Sequence, residues 1–410
     1  MTVDLVITGL AHLGDGIAEV DGKTVYVRGA LPGERVRARL EGERAQAVEI
    51  VEASPDRQPP VCRHFLTCGG CALQHMAARP YLDWKRSLVA AALGARGVDH
   101  AVEPAVAIAP GTRRRATFAA RRTRNTVVFG FHGLRSGVLV DIAECPVLEP
   151  AIEAAVPGLR ALMDGRLSRR GEAVVQVTAS RSGLDVTVAG ASEVEGAQEL
   201  ARLAGAAEAL DLARLTWNGE TIAERRAPVQ LFDGIAVAPP PGAFLQAAVP
   251  AETALARLVV DGVGEAAPVA DLFCGVGTFS LPLARTRAVH AVEADAAALA
   301  ALEAGANGAA GLRPVTTERR DLFRRPLLAH ELGRYQAVVF DPPRAGAKAQ
   351  AEELAASPVP VVVAVSCSPA TFARDARILV DGGYRLERVS PVDQFLFSPH
   401  VELVAVFRRD

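Results

Sequence analysis

The chain has 410 residues, 45 Lys+Arg against 47 Asp+Glu, and is 50% hydrophobic. That length predicts two to four domains, and so much apolar residue without a strict Gly or Pro period excludes disorder and collagen-like structure. No apolar run reaches the roughly 18 residues of a membrane span and no basic-then-apolar signal opens the chain, so a cytoplasmic monomer with no membrane partner is expected.

Residues 1–53 read as five short strands: Val3 to Ile7, Ile17 to Val20, Thr24 to Val27, Glu34 to Leu40 and Ala45 to Glu52. Asp15-Gly16, Asp21-Gly22 and Pro32-Gly33 supply turn signals, and five strands at this spacing predict a small closed barrel. It resembles a TRAM domain, an oligonucleotide-fold-like barrel appended to RNA-modifying enzymes, which implies RNA binding. The run Ser54 to Pro60 reads as a linker.

From 61 to 238 the pattern is mixed α+β, with strand-like pieces at Thr126 to Phe131, Ala173 to Ala179 and Leu184 to Val188. Between Pro104 and Val140 there are seven Arg and no Asp or Glu, either a phosphate-binding field or a solvated Arg-rich strand pair. Arg113, Arg115, Arg121 and Arg122 are the candidate RNA contacts. Cys62, Cys68 and Cys71, with a distant Cys145, form a thiol set that indicates a metal in a cytosolic protein. Zinc and an iron–sulfur cluster both accept such ligands.

After the break at Ala238 to Gly242, residues 243–410 alternate strands and helices, predicting a parallel sheet flanked by helices with a final antiparallel hairpin at its edge. Strands are expected at Val269 to Phe273, Val289 to Val292, Ala337 to Phe340, Val359 to Val365, Tyr384 to Val389 and Val401 to Phe407. Asp271 and a Gly275-x-Gly277 turn sit between the first of these and a helix, where backbone must approach a ligand without a Cβ in the way. Ser280 stands where a dinucleotide fingerprint needs a third Gly, and Glu293 closes the next strand, placed to accept from ribose hydroxyls. This spacing resembles class I S-adenosylmethionine-dependent methyltransferases. Asp341-Pro-Pro-Arg follows one strand, and Ser366-Cys367-Ser368-Pro369 links another to a helix whose N-terminus would stabilise a Cys367 thiolate.

Taken together, DLFCGVGTFSLPLA, Asp341-Pro-Pro-Arg, VSCSPATFARD and Pro399-His400-Val401-Glu402 resemble the RNA 5-methyluridine methyltransferases over nearly the whole chain. The resemblance implies an α/β fold: a TRAM-like barrel, a central domain, and a class I (Rossmann-like) methyltransferase domain. It makes Cys367 the nucleophile that adds to uracil C6 and Glu402 the base that removes the C5 proton. It assigns S-adenosylmethionine contacts to Gln246, Phe273, Thr278, Glu293, Asp321 and Asp341, beside Gly275 and Gly277. The four-cysteine pattern occurs in the family branch that holds a [4Fe-4S] cluster, a branch that leans towards ribosomal rather than transfer RNA. The chain departs from the family at Ala247-Ala248, where an Asn is expected, at Thr278, where some members carry Asn, at Leu396, where Pro is usual, and at Thr112, where Tyr is usual. Two rivals stand beside this reading. An amino-group methyltransferase needs an aromatic where Arg344 follows the prolines, and an RNA-binding or folding factor without catalysis gives no reason for Cys367 and Glu402.

Overall fold

The computed structural model describes residues 2–168 and 171–409. Met1 and Asp410, the outer ends of the first and last predicted domains, lie outside the described residues, as do Arg169 and Arg170.

Strands β1 (Thr2–Val6), β2 (Gly9–Leu10), β3 (Gly16–Val20), β4 (Lys23–Arg28), β5 (Arg35–Glu41) and β6 (Arg44–Glu52) form one sheet in the order β1-β5-β6-β4-β3-β2. It curls around Leu5, Ile7, Val25, Val27 and Val36. Asp21 and Gly22 both take positive φ, 52° and 73°, which a two-residue turn matching the right-handed strand twist requires. Asp15-Gly16 is not such a turn: the reversal falls just before it, and Gly16 starts β3, where a Cβ would come within 2.9 Å of Ile7 Cγ2.

Helix α1 (Ala78–Gly94) precedes the central sheet, β7 (Arg115–Arg122), β8 (Val127–His132), β9 (Leu139–Asp141), β10 (Glu172–Ser180), β11 (Gly183–Ala189), β12 (Arg214–Trp217) and β13 (Glu220–Glu224), ordered β13-β12-β11-β10-β7-β8-β9. Helices α2 (Pro150–Leu162) and α3 (Gly196–Ala209) cover one face, burying Ile152, Leu159 and Leu203 with Phe118, Val175 and Val186. The Arg-rich stretch thus supplies an interior strand, whose Ala116, Phe118 and Ala120 point inward. A hairpin, β14 (Gln230–Phe232) and β15 (Ile235–Val237), follows.

The last sheet comprises β16 (Val269–Leu272), β17 (Val289–Glu293), β18 (Val315–Arg319), β19 (Ala337–Phe340), β20 (Val361–Ser366), β21 (Arg385–Val392) and β22 (Glu402–Arg408), ordered β18-β17-β16-β19-β20-β22-β21. The first five are parallel, while β22 runs antiparallel between β20 and β21. Its helices are α4 (Val249–Val263), α5 (Ser280–Ala284), α6 (Ala296–Gly308), α7 (Ala329–Leu332), α8 (Lys348–Ala355) and α9 (Pro369–Asp381).

Side-chain alternation divides the strands between two cores. Val269, Val339, Val363 and Val404 pack with Leu255 and Val259 of α4, whereas Leu272, Val338, Val362 and Leu403 pack with Leu354 of α8 and Phe372 of α9. Val89 and Leu93 of α1 join the second core, so a helix inside the 61–238 segment completes the sheet of the 243–410 segment. Each such side chain contributes on the order of 1.5–3 kcal/mol on burial. No helix among the described residues is long and apolar enough to cross a membrane.

Arg114 fastens the central segment to this unit. It is 1% exposed, donates Nε to Gln246 O at 3.1 Å and Nη1 to Gln230 Oε1 at 3.2 Å, and pairs through Nη2 with Glu252 of α4. Replacing it with Met leaves Glu252 buried without a counter-charge, so Arg114→Met is expected to lower unfolding stability by about 3 kcal/mol in urea titrations. Arg114→Met with Glu252→Leu should recover part of that loss.

Candidate active site

Parallel pairing aligns the C-terminal ends of β16, β17, β19 and β20, where ligands bind in such sheets. At the end of β16, Phe273 takes φ 62°, followed by Gly275 at 55° and Gly277 at 95°. A Cβ on Gly277 would strike Leu302 Cδ1 at 2.4 Å, whereas one on Gly275 would meet nothing within 4 Å, leaving an open cradle. Asp271 accepts from Ser280 Oγ at 2.5 Å through Oδ2, while its buried Oδ1 has no partner among the described residues. Burial, with Asp341 and Glu293 nearby, pushes the Asp271 carboxyl up to about 7.

Glu293 Oε2 accepts from Gly275 N at 3.1 Å, and its Oε1 accepts from Ala294 N and Asp295 N. Asp321 caps its own turn by accepting from Phe323 N at 3.0 Å. Phe323, 51% exposed, leans on Phe273 with ring centroids 5.4 Å apart, a pairing that nothing in the residue pattern signalled. Cradle, orphaned acceptor, acidic strand end and exposed aromatic fit a nucleoside-bearing cofactor such as S-adenosylmethionine. Thr278 is set apart from them, lining another cavity with Asp233, Glu252 and Arg285.

The register of β22 builds the other half of the site. β20 ends at Ser366, which pairs with Leu403, so Cys367 and Glu402 are the residues that flank this last pair. Glu402 is 2% exposed, not a surface residue of the last strand. Burial and the Asp341 charge push its carboxyl well above the ordinary range, opposed by Gln394 and Arg344. Asp341, pushed up to about 7 by burial, accepts from Gln246 Nε2 at 3.1 Å.

Cys367 does not cap α9, because Ser368 is the N-cap and accepts from Thr371 N. Burial, then Glu402 and Asp341, push its thiol up to about 11, with Arg344 opposing. The helix-stabilised thiolate expected from sequence is therefore a thiol in the free protein.

Cys62, Cys68, Cys71 and Cys145 line one cavity of about 650 Å³ that extends past Arg113 to Arg344, Phe395 and His400. Burial raises all four thiols, Cys71 to about 12 and Cys145 to about 11. Cys68 Sγ accepts from Gly70 N at 3.4 Å, and a Cβ on Gly69 would come within 2.8 Å of His132 O. Among the described residues no group of three or more His, Cys, Asp or Glu closes to metal-ligating spacing, so the thiols share a cavity rather than a single point.

The basic run is not one exposed field. Burial lowers the Arg113 and Arg115 guanidiniums. Arg113 lies 6.0 Å over Phe395 and donates Nε to Arg115 O, while Arg115 lies 5.0 Å over Phe244 and donates Nη1 to Leu245 O. Both are half-buried and held by aromatic and carbonyl partners, and Arg113 lines the same cavity as the four cysteines. Arg121 and Arg122 are exposed, Arg121 paired with Glu172 at 2.6 Å.

Fold and cleft together define a class I methyltransferase domain carrying an N-terminal barrel and a thiol-lined central domain. The chain belongs to the tRNA (uracil-5-)-methyltransferase family, whose model matches residues 243–409, and residues 1–47 match the TRAM domain. It is 50% identical over 408 residues to an RNA methyltransferase of Brucella suis, covering 100% of this chain and 98% of that one. It is 36% identical to the 23S rRNA (uracil(1939)-C(5))-methyltransferase RlmD of Halomonas elongata, covering 97% of this chain and 88% of that one. Among solved structures, the Pyrococcus abyssi tRNA (uracil-54, C5)-methyltransferase in complex with S-adenosyl-L-homocysteine matches with a TM-score of 0.74 at 25% identity, over 99% of this chain and 100% of that one.

Because the Cys367 thiol titrates near 11, its thiolate fraction rises about tenfold per pH unit below that value. Iodoacetamide labelling of the Cys367 peptide, followed by mass spectrometry, should be slow at neutral pH and climb with that slope. A plateau already reached near pH 7 would contradict the assigned environment.

Proposed function

We propose that the chain is an S-adenosylmethionine-dependent RNA uracil-C5 methyltransferase that works through a covalent bond between Cys367 and uracil C6. The observation that carries this reading is that Cys367 and Glu402 flank the last pair of β20 with β22, close enough for the Glu402 charge to act on the thiol. Uracil C5 is too weak a nucleophile to take a methyl group unaided, and sulfur addition at C6 makes it an enolate. Phe273, Gly275, Gly277, Glu293, Asp321, Asp341 and Gln246 would hold S-adenosylmethionine, with Thr278 contributing at most backbone, and the bound cofactor would supply the electrophilic methyl of its sulfonium. Cys367 gives its proton to solvent and adds as the thiolate, forming the Sγ–C6 bond as the C5–C6 double bond opens to the enolate. Once C5 carries the methyl, Glu402 takes the C5 proton, the C5–C6 double bond returns and the Sγ–C6 bond breaks. Arg344, whose charge acts on both Cys367 and Glu402, favours the ionised form of each.

Glu402 must be ionised to accept the proton and Cys367 to add, so both raised groups predict a rate that increases with pH. Cys367→Ala should bind RNA and cofactor yet form no adduct. Glu402→Gln should leave methylated RNA bonded to the protein as a persistent, cofactor-dependent band on a denaturing gel, where wild type shows little. Methylation of uridine C5 by Cys367→Ala would end the covalent reading.

For the substrate we infer large-subunit ribosomal RNA, supported by the 36% identity to the 23S rRNA enzyme. Mapping 5-methyluridine in ribosomal and transfer RNA from a deletion strain tests it; loss from transfer RNA alone would reverse the choice. Arg121, Arg122, Arg113 and Arg115 are the proposed RNA-facing cations, the last two acting through the aromatic rings they cover. The four cysteines are proposed to hold a [4Fe-4S] cluster: all four thiols line one cavity, and four thiolates are the ligand set such a cluster takes. Its role is to pin the Cys62–Cys71 loop beside the cleft. Anaerobically purified protein should be brown with about four iron atoms per chain, and Cys145→Ser should bleach it. Stoichiometric zinc without visible absorption would rule the cluster out.

A further inference from the structure

The segment joining β21 to β22 carries a buried amide that the reaction so far leaves unused. Gln394 is 3% exposed, and each of its polar atoms is engaged. Its Oε1 accepts from Ala247 N at 2.7 Å, and its Nε2 donates to Gln246 Oε1 at 2.7 Å and to Glu402 Oε2 at 2.8 Å. Gln246 in turn donates Nε2 to Asp341 Oδ2 at 3.1 Å. The orientation of both amides follows from the backbone. Because Ala247 N can only donate, Gln394 must present its oxygen there and its NH2 to Glu402, which leaves Gln246 its own NH2 for Asp341.

The neighbouring residue anchors this arrangement. Asp393 Oδ1 accepts from Tyr81 Oη at 2.9 Å and pairs with Lys85 Nζ at 2.8 Å, with both charged side chains fully buried. Lys85 also donates to Phe395 O and His400 O, so its three acceptors use all three ammonium protons. Tyr81 Oη accepts from Phe397 N at 2.8 Å. Helix α1 thereby holds residues 393–400 between the two strands.

We infer that Gln394 is a positioning residue for the base: its amide fixes one oxygen of Glu402 and, through Gln246, ties the base to Asp341 in the cofactor recess. The inference rests on Glu402 being the base. A donor on Oε2 favours the ionised carboxylate, against the burial and the Asp341 charge that favour the neutral one, while Arg344 and Cys367 are the other titratable groups facing it. Gln394 should therefore act on proton removal and not on methyl transfer.

The test uses the full chain, S-adenosylmethionine, and RNA carrying tritium at uracil C5 from cells lacking the enzyme. Single-turnover methyl incorporation and tritium release are followed side by side across pH. Wild type should show the two in step. In Gln394→Met, tritium release near neutral pH should slow by roughly 10- to 100-fold more than methyl incorporation does, the range of a lost hydrogen bond to a charged group. Raising the pH should restore it.

Gln394→Glu keeps an acceptor for Ala247 N but sets a second carboxylate against Glu402, so its tritium-release midpoint should move further up. The two variants thus separate the fold contact from the base contact. Equal losses in both rates with an unmoved midpoint would overturn the inference, as would wild-type tritium release in both variants. Glu402→Gln is the control. If it traps methylated RNA while both Gln394 variants stay in step, only the inference falls; if it releases tritium in step with methylation, the assignment of the base falls too.

Discussion

The reaction centre depends on the insertion of one antiparallel strand into an otherwise parallel sheet. The parallel strands deliver Phe273, Glu293, Asp341 and Cys367 to one edge, because each leaves the sheet there. An additional parallel strand would begin at the far edge and could bring no strand-initial residue to this one. Running β22 the other way puts its first residue, Glu402, where β20 ends, and the pairing of Ser366 with Leu403 sets the distance. A slip of one residue would turn Glu402 to the opposite face, so the apolar alternation of Leu403, Val404 and Ala405 between the two cores also holds Glu402 in place.

Crowding so many acids into a low-dielectric cleft has a cost that polar partners offset. Asp271, Asp341 and Glu402 are all raised by burial, and each has a donor within reach: Ser280 Oγ, Gln246 Nε2 and Gln394 Nε2. Carboxylates so placed repel one another, which keeps the site poised between protonation states. Both glutamines also fasten backbone, since Gln246 O receives Arg114 and Gln394 receives Ala247 N. The alanines standing where the family has an asparagine are thus used through the main chain of Ala247, which a side-chain change leaves intact.

The central segment serves the cleft more than its sequence position implies. Arg114 reaches under Gln246, α1 completes one face of the methyltransferase sheet, and Lys85 holds the loop before Glu402. Leu396, where the family has proline, packs on the cluster of Leu31, Leu73, Tyr81 and Trp84 that joins the barrel to α1. Arg113 and Arg115 alternate along the entry to β7, and each guanidinium lies over an aromatic ring beside the cleft.

Features with local causes were legible in the residues. Asp21-Gly22 makes its turn because both positions need positive φ; Gly275 and Gly277 also take positive φ, and a Cβ at Gly277 would strike Leu302; and the runs at Val269, Ala337 and Val361 are apolar because both faces are covered. The roles of Cys367 and Glu402 came from family resemblance, not from spacing. Only the tertiary structure decided the rest, because it turns on contacts between residues far apart in the chain. Arg114 and Arg121 read alike as charges in one run, yet one is buried against Glu252 and the other exposed. Gln394 looked like any polar residue of a loop until Ala247, more than a hundred residues earlier, fixed the direction of its amide. The Cys367 thiol is likewise pushed up first by burial and then by the Glu402 and Asp341 charges that folding brings to it, so a helix start visible in sequence could not settle it.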